Sequence, residues 1–407
     1  MFDEVCTTLT LVESPSQHSS NDESVKLISN VIRSRRALTS FTVSNCQTSA
    51  VLNIIPLMAA THKGLQNFEM HCQDLGPADI KSLAPSLIVW TGLQSLNLRS
   101  NGMTESDAEA MGPVLSALTR LHVLDLSGNN INQAGAASLA PALAVITGLI
   151  SLDLSFNNIG SVGMKALAPA LEKLTRLTKL DVLRNRLHLD GSAALRYCLV
   201  VLTGLCCLNL GVNFFQPAGV ESLAPCLKLV TGLTTLNFQS NGIGPEGAAP
   251  FASALMALTR LRYLLISGNH IGPVGAASLA PSLKMLKGLC YLDISDNNIG
   301  SDGSDSLAPS LSVLTGLQML DISNNGIGPA GAALLAPSLR VLTGLDILDI
   351  SNNDIGPAGA ASLAPSLLMM KKLNLLHISC NDLGPAGKAA LAPVLMMLTE
   401  LLNLSLD

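Results

Sequence analysis

Apolar and polar positions along this chain follow two rhythms that alternate as one block. In Leu317 to Thr343, LQMLDISNNGIGPAGAALLAPSLRVLT, the residues Leu317, Leu320 and Ile322 set an L-x-x-L-x-L spacing. Its last part has the period of two expected of a short, half-buried strand. Asn325 follows where the strand must turn. Its amide both donates and accepts, so it can satisfy backbone groups exposed by the bend. Ile327 then points inward, and Gly328-Pro329 opens a helix with proline in the first turn, where the missing N–H costs little. Ala332, Leu335, Leu339 and Leu342 mark the buried face of that helix.

The block recurs every 28 residues, with asparagine at Asn101, Asn129, Asn157, Asn185, Asn213, Asn241, Asn269, Asn297, Asn325, Asn353 and Asn381. Such a period belongs to an array in which each unit buries its core against its neighbours, and stacked asparagines form a structural ladder. A second proline recurs as Pro85, Pro113, Pro141, Pro169, Pro225, Pro281, Pro309, Pro337, Pro365 and Pro393. Inside a helix it removes a hydrogen bond and predicts a kink, hence two short helical pieces or one bent helix per repeat.

The array occupies residues 38–407, about 13 repeats and a final partial strand. Residues 1–37 form an N-terminal capping segment, in which Asn21 to Arg36 reads as a helix burying Val25, Ile28, Val31 and Ile32. Cys46 and Gln73 replace the ladder asparagine in the two degraded first repeats. At the far end Leu401, Leu404 and Leu406 begin one more strand without a polar cap. An open strand edge invites pairing, so three readings stay open: the edge is tolerated as it stands, it pairs in self-association, or the sequence given stops short of the protein's end.

Composition narrows the function classes. The chain is 48% apolar, 13% charged and 3% aromatic, so the core is made of leucine and alanine in small, uniform portions. A net charge of −5, with no block of Lys or Arg, excludes a broad nucleic-acid footprint. The start, Met1-Phe2-Asp3-Glu4, is acidic and then polar, so no signal peptide is expected from it. Tyr197 to Phe215 lacks charge, but Leu202, Leu205, Leu208, Leu210 and Asn213 keep the repeat register there, which argues against a membrane span. Nine scattered cysteines without a C-x-x-C pair fit reduced thiols in a cytoplasmic protein.

Catalytic patterns are weak. Gly242 to Gly247 and Gly326 to Gly331 match G-x-G-x-x-G between strand and helix. Pro245 and Pro329 delete an N–H where a phosphate cradle needs donors, and sister repeats replace the first glycine with Asn298 or Asp354. No P-loop, no H-E-x-x-H and no zinc-like Cys/His cluster occurs. His270 and His377 have no nucleophile at a motif spacing. The sequence therefore predicts no catalytic residues, metal or cofactor, and no enzyme.

The pattern L-x-x-L-x-L-x-x-N-x-I/L-G-x-x-G-x-x-x-L resembles the leucine-rich repeats of the ribonuclease-inhibitor-like class, from about Leu38 onward. The resemblance implies an α/β solenoid, a horseshoe with a parallel sheet inside and helices outside. Strand spacing near 4.8 Å against helix spacing near 8–10 Å requires the stack to bend. It also implies a concave face that binds another protein.

One column on that face runs Ser95, Val123, Ser151, Lys179, Cys207, Thr235, Tyr263, Tyr291, Met319, Ile347, Leu375. Its last five members, with Leu265 beside them, make an apolar stripe suited to a partner. The next column holds Asp125, Asp153, Asp181, Asp293, Asp321 and Asp349, carboxylates that could meet a partner's Lys or Arg. A second candidate is the divergent repeat from Lys179 to Leu202, which loses the helix proline and gains Arg184, Arg186 and His188, with Phe156 and Phe214 at loop edges. The expected activity is a non-catalytic scaffold or adaptor for an unidentified protein. The alternatives within the same repeat class are a GTPase-activating regulator of the Ran type, without its acidic C-terminal tract here, and the sensor portion of an innate immune receptor. An F-box adaptor would need more than the first 37 residues.

Overall fold

A computed structural model describes residues 8–12, 29–34, 38–44, 48–71, 79–398, 401 and 403–405. The chain divides into two compact units, residues 1–205 and 206–407. In the first, parallel strands pair in sequence order: Thr8–Val12, Ser40–Ser44, Asn67–His71, Ser95–Asn97, Val123–Asp125, Ser151–Asp153 and Lys179–Asp181. In the second, Thr235–Asn237 pairs with Cys207–Asn209 and then with Tyr263–Leu265. Tyr291–Asp293, Met319–Asp321, Ile347–Asp349, Leu375–His377 and Asn403–Ser405 follow in the same parallel order. Parallel neighbours need a crossover element, and the repeat supplies a helix each time.

The two sequence rhythms become the two layers. Each three-residue strand buries its middle leucine completely (Leu264, Leu292, Leu320, Leu348, Leu376) and leaves its flanking residues partly open. The helix Gly328–Leu339 buries Ala332, Leu335 and Leu339 against that layer, and Leu342 closes the connection. Each such leucine contributes about 1.5–3 kcal/mol relative to exposure. Pro329 stands in the first turn of this helix.

The recurrent second proline does not split the helices. Gly328–Leu339 is one continuous element with Pro337 near its end, and Gly272–Leu283 and Gly356–Leu367 carry Pro281 and Pro365 in the same place. The helix stops within a turn of the proline, so there is little helix beyond it to be displaced. The divergent helix, His188–Val201, has no proline and is 14 residues long rather than 12. Adjacent helices are tied where small serines let them approach: Ser310, Ser338 and Ser366 donate their hydroxyls to Ala280, Ala308 and Ala336 carbonyls at 2.6–2.7 Å.

The asparagine ladder is buried and saturated. The Asn297 N–H donates to Asn325 Oδ1 at 3.0 Å, and the Asn325 N–H to Asn353 Oδ1 at 2.9 Å. Asn325 Nδ2 donates to the carbonyls of Ile322 and Ser323 in its own repeat and Ile294 in the preceding one, at 3.0–3.1 Å. One side chain thus serves two neighbouring turns. The turn itself zigzags through left-handed backbone at Asn324, Gly326 and Gly328 (φ 53°, 60° and 66°), and glycine adopts this region without steric cost.

At the N-terminus the parallel sheet starts earlier than the repeat pattern indicates. Thr8–Val12 pairs in register with Ser40–Ser44. The alternation Thr8-Leu9-Thr10-Leu11 is a strand signal that the 28-residue register does not reach. Residues 29–34 are helical with Ile32 buried, while Val25 and Ile28 lie outside the described residues. So do the ladder substitutes Cys46 and Gln73, and Leu406 at the other end.

Candidate interaction surface

In residues 206–407 strand register aligns side chains on the sheet face turned away from the helices. Tyr263, Tyr291, Met319, Ile347 and Leu375 occupy equivalent first positions of five adjacent strands. The Tyr263 and Tyr291 rings lie 6.1 Å apart at 38°, within the range of favourable aromatic pairs. Tyr263 is the most open of the five, at 45% exposure. The others are half-buried, because each packs against the side chains of the strands on either side. They therefore form a low apolar ridge.

The third positions form a second column: Leu265, Asp293, Asp321, Asp349 and His377. These carboxylates have a local task. Asp293, Asp321 and Asp349 each accept, through Oδ1, the backbone N–H and hydroxyl of the serine two residues on, at 2.6–3.0 Å. The same bond holds Asp125 to Ser127 and Asp153 to Ser155, and Asn97, Asn209 and Asn237 accept the equivalent N–H with an amide oxygen. The column is thus first a set of turn braces. Asp349 Oδ2 also meets His377 Nδ1 at 3.1 Å.

Stacking like charges on neighbouring strands has a titration consequence. Burial pushes the Asp321 carboxyl above its usual range, with Asp293 and Asp349 adding to the shift and the Ser323 hydrogen bonds opposing it. The Tyr291 hydroxyl is likewise raised, by burial first and then by Asp293 and Asp321. The middle of this face is the part of it least tolerant of further negative charge.

The divergent repeat arranges its cations around one ring. Arg184 and Arg186 are exposed on either side of buried Asn185, with φ of 54° and 55°. The Arg184 guanidinium stands 5.4 Å from the centre of the Phe156 ring, a cation–π distance. Left-handed backbone at Arg184, Arg186 and His188 costs about 1–3 kcal/mol per non-glycine residue. Phe214, 42% exposed at φ 58°, belongs to residues 206–407.

A depression of about 360 Å3 in residues 1–205 is lined by Arg99, Ser127, Asp153, Ser155, Phe156 and Asp181. Sequence reading reached Phe156 and the two aspartates but not Arg99, which lies two repeats upstream. The shared turn register was the signal that could have found it. Among the described residues no group of His, Cys, Asp or Glu could hold a metal ion. None of the described helices is long and apolar enough to cross a membrane.

Comparison with known proteins agrees with this architecture. The Leucine Rich repeat family matches at residues 118–140, 148–168, 232–252, 258–280, 289–308, 315–336, 345–364 and 370–392. No curated protein matches the chain at a significant level. Among solved structures, an internalin from Listeria monocytogenes aligns over 88% of this chain and 95% of its own, with a TM-score of 0.50 and 20% identity. At that identity the likeness concerns the fold alone. The chain is built of leucine-rich repeats, and each of its two units folds as a parallel β/α solenoid of that type.

Proposed function

We propose that the chain is a non-enzymatic interaction protein of the ribonuclease-inhibitor-like class, and that the concave sheet face of residues 206–407 binds another protein. Leucine-rich repeats generally serve protein–protein recognition through extended surfaces. The observation that carries the reading is the unbroken apolar column from Tyr263 to Leu375, five strands wide and led by a tyrosine pair. Nothing in the packing of the core needs these side chains to be apolar, since the mid-strand leucines already fill it. Tyrosine and methionine are favoured at interface centres. Leu265 extends the ridge, and Arg184, Arg186 and Phe214 are secondary contact points. We place the protein in the cytoplasm on its dispersed cysteine pattern.

Affinity capture from lysate with the full chain and with Tyr263→Ala/Tyr291→Ala tests this. The double variant is expected to lose the principal partner, with a change of at least about 2 kcal/mol for a tyrosine hot spot, while thermal unfolding stays close to that of the parent. A partner retained at parental affinity by the folded double variant refutes the proposal.

A further inference from the structure

A different surface of residues 206–407 carries a pattern that neither the core nor the sheet face requires. Each helix ends in a short connection to the next strand, such as Lys284 to Cys290 after Gly272–Leu283. Leu286 and Leu289 of this connection are buried, but Met285 projects outward at 52% exposure. The same register position holds Leu229 (47%), Val341 (44%), Met369 (43%) and Met397 (56%), with half-exposed Ala257 and Val313 completing the row. One exposed apolar residue is ordinary, whereas a continuous row with one member per repeat is a surface feature.

Cations accompany the row. Lys228, Lys284 and Arg340 immediately precede an apolar member; Lys287, Lys371 and Lys372 follow within three residues, as does Arg260. With Arg262, at the entry to a strand, these are all the lysines and arginines of residues 206–407 except Lys388. None of them joins a salt bridge among the described residues. Asp293, Asp296, Asp321, Asp349 and Asp354 sit instead at the opposite ends of the strands or in the turns beyond. On this rim Asp346 is the one carboxylate among the described residues, and it accepts a hydrogen bond from Asn374. The unit is therefore polarised, with cations and apolar side chains on one rim and carboxylates toward the other.

We propose that this rim docks on an anionic lipid bilayer as a peripheral contact. Stacked helices space the apolar side chains about 8–10 Å apart. They stand as separate, outward-pointing projections beside cations, whereas protein hot spots cluster near the centre of one compact patch. A fluid interface takes Leu, Val and Met into the acyl boundary while Lys and Arg meet phosphate groups. The charge segregation supplies the orientation, because the carboxylate-bearing side is repelled by the same surface. The sheet face stays open to a protein partner.

The test is flotation of the full chain with vesicles of phosphatidylcholine alone and of phosphatidylcholine with about one-third phosphatidylserine. Binding is expected to the anionic vesicles, weakening as salt rises toward about 0.5 M. Lys371→Gln/Lys372→Gln should lower the partition coefficient about 25-fold, at about fivefold per lysine, and Met285→Asp/Met369→Asp should lower it further. Tyr263→Ala/Tyr291→Ala should leave it unchanged, which separates this proposal from protein binding at the sheet face. Failure of the unmodified chain to float with anionic vesicles overturns the proposal whatever the variants do. Equal binding to polyglutamate that survives Met285→Asp/Met369→Asp also overturns it, in favour of an acidic protein surface.

Discussion

Replacing one ladder asparagine by alanine should cost far more than its small change in volume suggests. Asn325 is 1% exposed, and its Oδ1 accepts the N–H groups of Asn297 at 3.0 Å and Ile299 at 3.4 Å. Alanine leaves both donors buried and unpaired. The carbonyls that Asn325 Nδ2 serves fare better, because each keeps another donor. Asn297 Nδ2 still reaches Ile294 O at 3.0 Å, Asn353 Nδ2 reaches Ile322 O at 2.9 Å, and the Asp296 N–H reaches Ser323 O at 3.0 Å. The loss therefore falls on one well-formed donor and one weak one. At about 1–3 kcal/mol per orphaned buried group, the expected cost of Asn325→Ala is about 2–4 kcal/mol.

The neighbouring side chain provides the contrast. Exposed Asn324 donates to Asp296 and accepts from Asn352, at 2.7–2.8 Å, in a second ladder open to water. Asn324→Gly keeps the left-handed backbone without strain and should cost within about 0.5 kcal/mol. Asn325→Asp retains the acceptor but sets a carboxylate against three carbonyl oxygens. Its folded-state pKa then lies above the unfolded value near 3.9, so its penalty is largest at neutral pH and shrinks as pH falls through the raised value. Urea unfolding followed by circular dichroism gives the energies, and hydrogen exchange at Asn297 and Ile299 gives the local readout. A loss below about 1 kcal/mol for Asn325→Ala, or one no larger than that of Asn324→Gly, would refute the reasoning.

Three further substitutions have outcomes set by the same geometry. At Gly303 an added Cβ would lie 2.5 Å from Ile299 Cγ2 and 3.2 Å from Pro273 Cα, so Gly303→Ala should destabilise by about 1–3 kcal/mol in urea unfolding. At Gly288 the nearest atom is Leu261 O at 3.6 Å, and Gly288→Ala should be tolerated. Asp321→Asn should raise the thermal midpoint at neutral pH. The raised carboxyl pKa means ionisation opposes folding there, and Asn97, Asn209 and Asn237 show that an amide oxygen can brace this turn. That gain should diminish as pH falls through the raised pKa and Asp321 takes up its proton in the parent. A midpoint lowered at neutral pH would show that the charge-assisted serine bonds outweigh the repulsion.

Much of the fold was legible from particular residues. Leu320, Asn325, Ile327, Leu335 and Leu339 occupy the buried positions that their spacing indicates, because a strand period and a helix period are local properties of the chain. Pro337 was less informative, since a proline in a helical pattern does not say how much helix lies beyond it. The aspartate column was readable as charge, but its role was not. That Asp321 Oδ1 is occupied by Ser323 depends on turn geometry, which spacing does not specify. The Arg184–Phe156 contact joins residues 28 apart, and the depression containing Arg99 spans several repeats.

By itself the sequence determined the repeat, its two alternating elements, the leucine core and the asparagine at each turn from Asn101 to Asn381. Those features lie within a single period, where backbone periodicity and hydrogen-bonding demand decide the outcome. The tertiary structure decided what stacking creates. It set the Tyr263 and Tyr291 rings 6.1 Å apart at 38°, commits one oxygen of each brace aspartate, and raises the Asp321 pKa by burial first, with Asp293 and Asp349 on adjacent strands adding to it. It also drew Lys284, Arg340 and Lys371 to one rim and Asp293, Asp321 and Asp349 toward the other. Surface chemistry in a stacked array belongs to residues a full repeat apart, and only strand and helix register brings them together.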